Sequence, residues 1–214
     1  MITCACPANE SIPLLGSFTV CPENFGQIQK VAFQRLKNDD GTTNSFPTNG
    51  TGDIKMLASW TPLLTKNGSE RVSVSCYIQA PTEDGGDAIT FGGGNDTLGG
   101  VELIVGRNPV NFSGVIRSMS QREIELMKRL QCEVQAGNIG VYLFDENGNI
   151  ECVKRDTEQT AYPIPIRSLF VGDKIHGGYD TPDSNVISWS YMPNYSDDIT
   201  IIKPNFNPLT DLSI

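Results

Sequence analysis

His176 is the only histidine in the chain, so a nucleophile that needs an imidazole base must find it there. The run Gly172-Asp173-Lys174-Ile175-His176-Gly177-Gly178-Tyr179-Asp180 has turn composition, and a lone histidine in a turn reads as an exposed polar residue. Neither a Gly-x-Ser-x-Gly elbow nor a His-Glu-x-x-His pair occurs. Paired carboxylates for glycoside hydrolysis are available at Asp145/Glu146, Asp180/Asp183 and Asp197/Asp198. With 25 acidic residues, neighbouring pairs arise by chance. These pairs also sit at turn signals, where aspartate is favoured for its bonds to nearby backbone.

Cysteines stand at 4, 6, 21, 76, 132 and 152. Cys4, Cys6 and Cys21 offer three soft ligands, but their spacing matches no common zinc knuckle. The amino terminus lacks the basic and apolar regions of a signal peptide. Reduced, unligated thiols are therefore the expectation, with no metal and no cofactor. Trp189, Tyr191 and Tyr195 have the residue types of a sugar-stacking platform. Trp189 and Tyr191, however, alternate with Ser188 and Ser190, as residues on the buried face of one strand do.

Pro81–Arg107 is the most unusual stretch, with eight glycines and an apolar end at Val101–Val105. Gly92-Gly93-Gly94 and Gly99-Gly100 do not make a phosphate cradle. A Walker loop needs Gly-Lys-Ser/Thr opening a helix, whereas here a β-rich run follows and Glu83, Asp84, Asp87 and Asp96 repel phosphate. The carboxylate spacing fits neither an EF-hand nor a glycine-rich calcium repeat. Glycine loses the most backbone freedom on ordering, so the segment cannot fold by its own apolar burial. It reads as an arm over 81–100 that neighbouring subunits hold, with Thr90, Phe91, Gly92, Gly93, Gly94, Asn95 and Leu98 as the contact residues.

The elements around the arm are mostly strands. Gln27–Leu36 reads as a strand, Asn38–Asp53 as a loop and Ile54–Leu64 as a short helix stopped by Lys66-Asn67-Gly68. Arg71–Gln79 alternates Val72, Val74, Cys76 and Ile78 against polar partners, as one half-buried strand would. Val101–Val105 and Asn111–Arg117 read as a strand pair around Asn108-Pro109. In Gln121–Gln135, Ser120 and Glu123 form a capping box, and Ile124, Met127, Leu130 and Val134 make one apolar stripe. The resulting flanking helix, over 120–136, should cover an open side of a sheet. Ile139–Phe144 and Asn149–Lys154 flank a hairpin turn through Asn147-Gly148. Ser168–Ile175, Val186–Met192 and Ile199–Ile202 complete the strands. The expectation is one mainly β domain over 1–214 with one flanking helix.

Net charge is −9. Sequence-independent grip on nucleic acid rests on lysine and arginine, so the chain is unsuited to holding DNA but compatible with a conduit that DNA slips through. No apolar run approaches the roughly 20 residues that span a bilayer, so no membrane insertion is expected.

The succession NFGQIQKVAFQR, ASWTPLL, YIQAPTEDGGDAITFGGGNDTLGGVELIVGR and MKRLQCE…NIGVYLFDENGNI resembles virion structural proteins of tailed phages infecting Bacteroidetes. The resemblance covers roughly residues 20–155, and TFGGGNDTLGGVE is its most distinctive piece. It implies a tail-tube-like β-sandwich or barrel that closes into rings, with Ser120–Gln135 as flanking helix and Pro81–Val101 as inter-subunit arm. The implied role is a non-enzymatic tail-tube or connector/ring subunit of the virion tail, assembled in the host cytoplasm. Its partners would be itself and other phage tail proteins, with DNA only as passing cargo. The alternative is a carbohydrate- or receptor-binding β-sandwich module that stacks ligand on Trp189, Tyr191 and Tyr195.

Overall fold

Val31 and Phe33 turn to one side of a strand and Ala32 to the other, and all three are buried. A strand that is apolar on both sides needs cover on both faces, and this requirement organises the chain. The computed structural model describes residues 24–154 and 159–212. The expectations for residues 1–20, including Cys4 and Cys6, and for Cys21 lie outside the described residues.

The first half runs β1 (Ile28–Arg35), β2 (Phe46–Pro47), α1 (Leu57–Thr65), β3 (Val72–Val74), β4 (Ile78–Gly85), β5 (Ala88–Phe91), β6 (Leu103–Arg107) and β7 (Val110–Arg117). Then follow α2 (Gln121–Gln135), β8 (Ile139–Asp145), β9 (Ile150–Lys154), β10 (Thr160–Tyr162), β11 (Ile164–Val171), β12 (Ser184–Tyr191), β13 (Ile199–Ile202) and α3 (Pro208–Asp211). The protein is mainly β, sandwich-like, with a large antiparallel sheet and three helices among the described residues.

One layer contains β3, β1, β8, β9 and β10, and β8 is buried along its whole length. The opposing layer runs β4–β7–β12–β11. Between them lie Val31, Phe33, Phe112, Val141, Leu143, Ile187 and Trp189. On the far side of the first layer, Trp60 and Leu64 of α1 pack with Phe46, Tyr142, Phe144, Ile150 and Leu212. Trp60 stacks on Phe46 at 4.4 Å between ring centres, and its indole N–H donates to Ile54 O at 2.8 Å.

The chain changes layers in two places. β11 pairs with β8 through Ile164 and Pro165, then with β12 from Ile166 onward. The expected single strand Arg71–Gln79 is in fact two. β3 pairs with β1, whereas β4 pairs with β7. Ser75 makes the break, because its hydroxyl accepts from Val31 N at 3.0 Å and donates to Cys76 O at 2.9 Å. The alternating pattern is real, but the chain changes partner in the middle of it.

The helix α2 occupies the expected residues, and both capping-box bonds form: Glu123 N to Ser120 Oγ and Ser120 N to Glu123 Oε2. It packs against β11, with Val134 buried and Ile124, Met127 and Leu130 partly buried against the inter-layer core. The hairpin β8–β9 also forms as expected. Asp145, fully buried, organises it by accepting from Gly26 N, Asn147 N, Asn149 N and Asn149 Nδ2 at 2.7–3.1 Å.

Candidate functional site

Val101–Val105 is apolar and β-branched, which a core strand would be, yet its residues lie in solvent. β6 pairs with β5, not with β7 as the sequence pattern implied. β7 is already paired on both sides, by β4 and β12, so it has no free edge for β6 to join. The two short strands instead make a separate hairpin arm. Its apolar side chains, among them Phe91 (59% exposed), Ile104 (73%), Leu103 and Val105, have no core to enter.

The arm also begins later than the composition indicated. Pro81–Gly85 is not loop: Thr82, Glu83, Asp84 and Gly85 pair with Ser113, Phe112, Asn111 and Val110. The arm proper is 86–107. At its root Gly85 has φ +111, and a Cβ there would collide with the Pro109 carbonyl oxygen, so the crossing of the two chains requires glycine. Asn108 N donates to Asp87 O at 2.8 Å, which closes the base, and Arg107 Nη1 reaches Asn194 Oδ1 at 3.0 Å.

Thr97 orders the tip. Its hydroxyl accepts from Gly93 N at 3.1 Å and donates to Val101 O at 2.6 Å. Thr90 and Phe91 lie in β5, Gly92, Gly94 and Asn95 are exposed in the tip loop, Gly93 is half-buried under the Glu102 side chain, and Leu98 is fully exposed. The expected contact residues are therefore together on one projection. Ile89 lies within the expected arm but was not among the expected contact residues, and Leu103, Ile104 and Val105 were read as a strand beyond it. Their apolar run was visible, but an apolar strand is ordinarily assigned to a core.

A polar cluster lies near the root of this arm. Tyr191 Oη donates to Glu83 Oε1 at 3.0 Å, and Tyr195 stacks on Tyr191 with ring centres 4.3 Å apart. Desolvation raises the Glu83 pKa, against the lowering effect of the tyrosine bond. Burial first, then Glu83 and Asp145, push the nearby Glu151 carboxyl up to about 7. Tyr195 is pushed up to about 12 by burial and the same two glutamates. Tyr191 and Tyr195 stood out in the sequence as aromatics, and an acid at 151 between apolar Ile150 and Cys152 was the further sign of this cluster.

The other candidates fall apart geometrically. His176 is exposed, 3.2 Å from Asp183, and no nucleophile among the described residues is bonded to it. Asp145 is committed to its turn. Trp189 and Tyr191 are each 1% exposed, so neither offers a ring face to a sugar. Cys76, Cys132 and Cys152 are free thiols, and burial pushes Cys152 up to about 12. Among the described residues no three His, Cys, Asp or Glu side chains gather in a way that could hold a metal. A cavity of about 410 Å³ beside Arg71 is bordered by Arg35, whose guanidinium is spent on a two-pronged bond to Glu133 at 2.6 and 3.0 Å. Compared with known proteins, the chain matches no protein-family model and no curated protein.

Proposed function

We propose that this chain is a structural, non-enzymatic subunit of a bacteriophage tail, of tube or connector/ring type. It assembles with copies of itself in the host cytoplasm into a ring of the virion tail, meets other tail proteins there, and lets DNA pass. The observation that carries this reading is the arm: a folded hairpin with apolar side chains on a projection that has no core of its own. Exposed apolar area of this kind marks contact surfaces, since water disfavours it and a partner removes the penalty. The resemblance of TFGGGNDTLGGVE and its flanks to phage virion proteins points the same way.

The charge balance and one sheet face fit a conduit. The solvent side of β7 and β12 carries Asn111, Ser113, Ser188 and Ser190, with Ser190 Oγ bonded to Asn111 at 2.7 Å. These side chains carry no charge, so they release no counterions and give a passing duplex little electrostatic grip; Arg117 at the end of the face is bonded to Gln79. The test is the mass and shape of the purified chain, by light scattering and negative-stain microscopy across a concentration series. Rings or stacked rings are expected. Monomers at every concentration overturn the reading.

A further inference from the structure

Arg167 is exposed in a chain of net charge −9, and its guanidinium, like those of Arg71, Arg122 and Arg129, has no hydrogen-bond or ion-pair partner among the described residues. It is placed by a bulge. The β11–β12 register shifts between Arg167 and Phe170, and Ser168 there takes φ +54, a conformation costly for a residue with a Cβ. As a result Arg167, Ser168 and Phe170 are all exposed, while Leu169 between them is buried. Across from the bulge lie Gln131, Val134 and Gln135 of α2, and together they enclose a groove of about 540 Å³. None of its lining residues is an acid. It offers an apolar floor, a phenyl wall and one free cation.

The arm tip has the opposite chemistry. Leu98 is fully exposed, Asp96 is exposed, and Glu102 folds over Gly93 beside them. The two features cannot be neighbours in one copy's sheet. The arm continues from β4 at one edge of the β4–β7–β12–β11 layer, and the groove lies along β11 at the other edge. A projection on one edge and a receptor on the opposite edge define a head-to-tail contact, which is the kind that closes into rings.

We propose that the groove between α2 and the β11 bulge receives the arm tip of a second copy of this chain. Leu98 enters against Phe170 and Val134, and Asp96 or Glu102 pairs with Arg167. This assignment rests on the ring-subunit reading above and adds its receptor surface.

Charge exchange tests it. Arg167→Glu should raise the concentration for half-assembly by about tenfold or more, as expected for reversing one side of an interface ion pair. Asp96→Arg with Glu102→Arg should do the same. An equimolar mixture of the two variants should assemble wherever the copies alternate, since each groove then meets an arm of opposite charge, and the triple variant should restore assembly by itself. Phe170→Ser is the uncharged companion, and circular dichroism checks that each variant is folded. Normal assembly by folded Arg167→Glu and Phe170→Ser overturns the groove and leaves the ring reading standing. Failure of the triple variant to regain assembly overturns the ion pair. If assembly depends on Arg167 but yields open chains in place of rings, the groove stands and the conduit reading falls.

Discussion

The phenol of Tyr191 donates a 3.0 Å hydrogen bond to the Glu83 carboxylate, joining a core aromatic of β12 to the strand that carries the arm. Tyr191 is itself held between Trp189, edge-on at 6.3 Å, and the stacked ring of Tyr195. Tyr191→Phe keeps the rings and removes only the donor. A loss of roughly 1.5–3 kcal/mol is expected, the range for bonds to a charged group. Urea unfolding measures it, and limited proteolysis should show faster cleavage at the root of the arm.

Glu151 makes stability depend on pH. Its folded pKa of about 7 lies above the ordinary 4.5, so between those values the folded chain keeps a proton that the unfolded chain has lost. Its contribution is fully present below about pH 4.5 and is lost as pH rises through about 7, on the order of 2–3 kcal/mol for a shift of this size. Glu83, shifted in the same direction, adds to the slope. Unfolding midpoints at intervals from pH 4.5 to 8 should decline in the native chain and flatten in Glu151→Gln.

Removing the arm should leave the fold intact. Asp87 and Asn108 are already bonded backbone to backbone, so deletion of 88–107 joins two ends that are adjacent. Circular dichroism and thermal unfolding of the shortened chain should match the native protein, while light scattering finds only monomers. Unfolding would place the arm in the core, and normal rings would remove its role in assembly.

Asp145→Ala tests the β8–β9 turn. The change strands Gly26 N and Asn149 N, among other donors, at half-buried positions, where each unsatisfied donor costs up to about 1–3 kcal/mol. A loss near the upper end of that range is expected in chemical denaturation.

Leu130→Ala tests the stripe on α2. Leu130 is only partly buried, so the loss should be roughly 1–2 kcal/mol, below the 2–5 of a fully enclosed leucine. A change smaller than 0.5 kcal/mol, on the scale of exposed sites, would show that the stripe contributes little.

The local elements were written in the sequence because their causes are local. The capping box at Ser120 and Glu123, the Asn147-Gly148 turn and the alternation of Trp189 and Tyr191 act within a few residues, and each formed where expected. The mainly β class followed from the same signals. What the tertiary structure decided was partnership. Val72–Val74 and Ile78–Gly85 share one alternating pattern but pair in different layers, because Ser75 ends the pairing with β1 by bonding Val31 and the chain then crosses to β7. Leu103–Arg107 has the composition of a core strand but stands outside, because both edges of β7 were taken. Glu83 met Tyr191 from 108 residues away in the chain. Alternation tells which side of a strand is apolar, but which strand lies beside it is a competition among all the free edges of the fold, and that is settled only when the layers close.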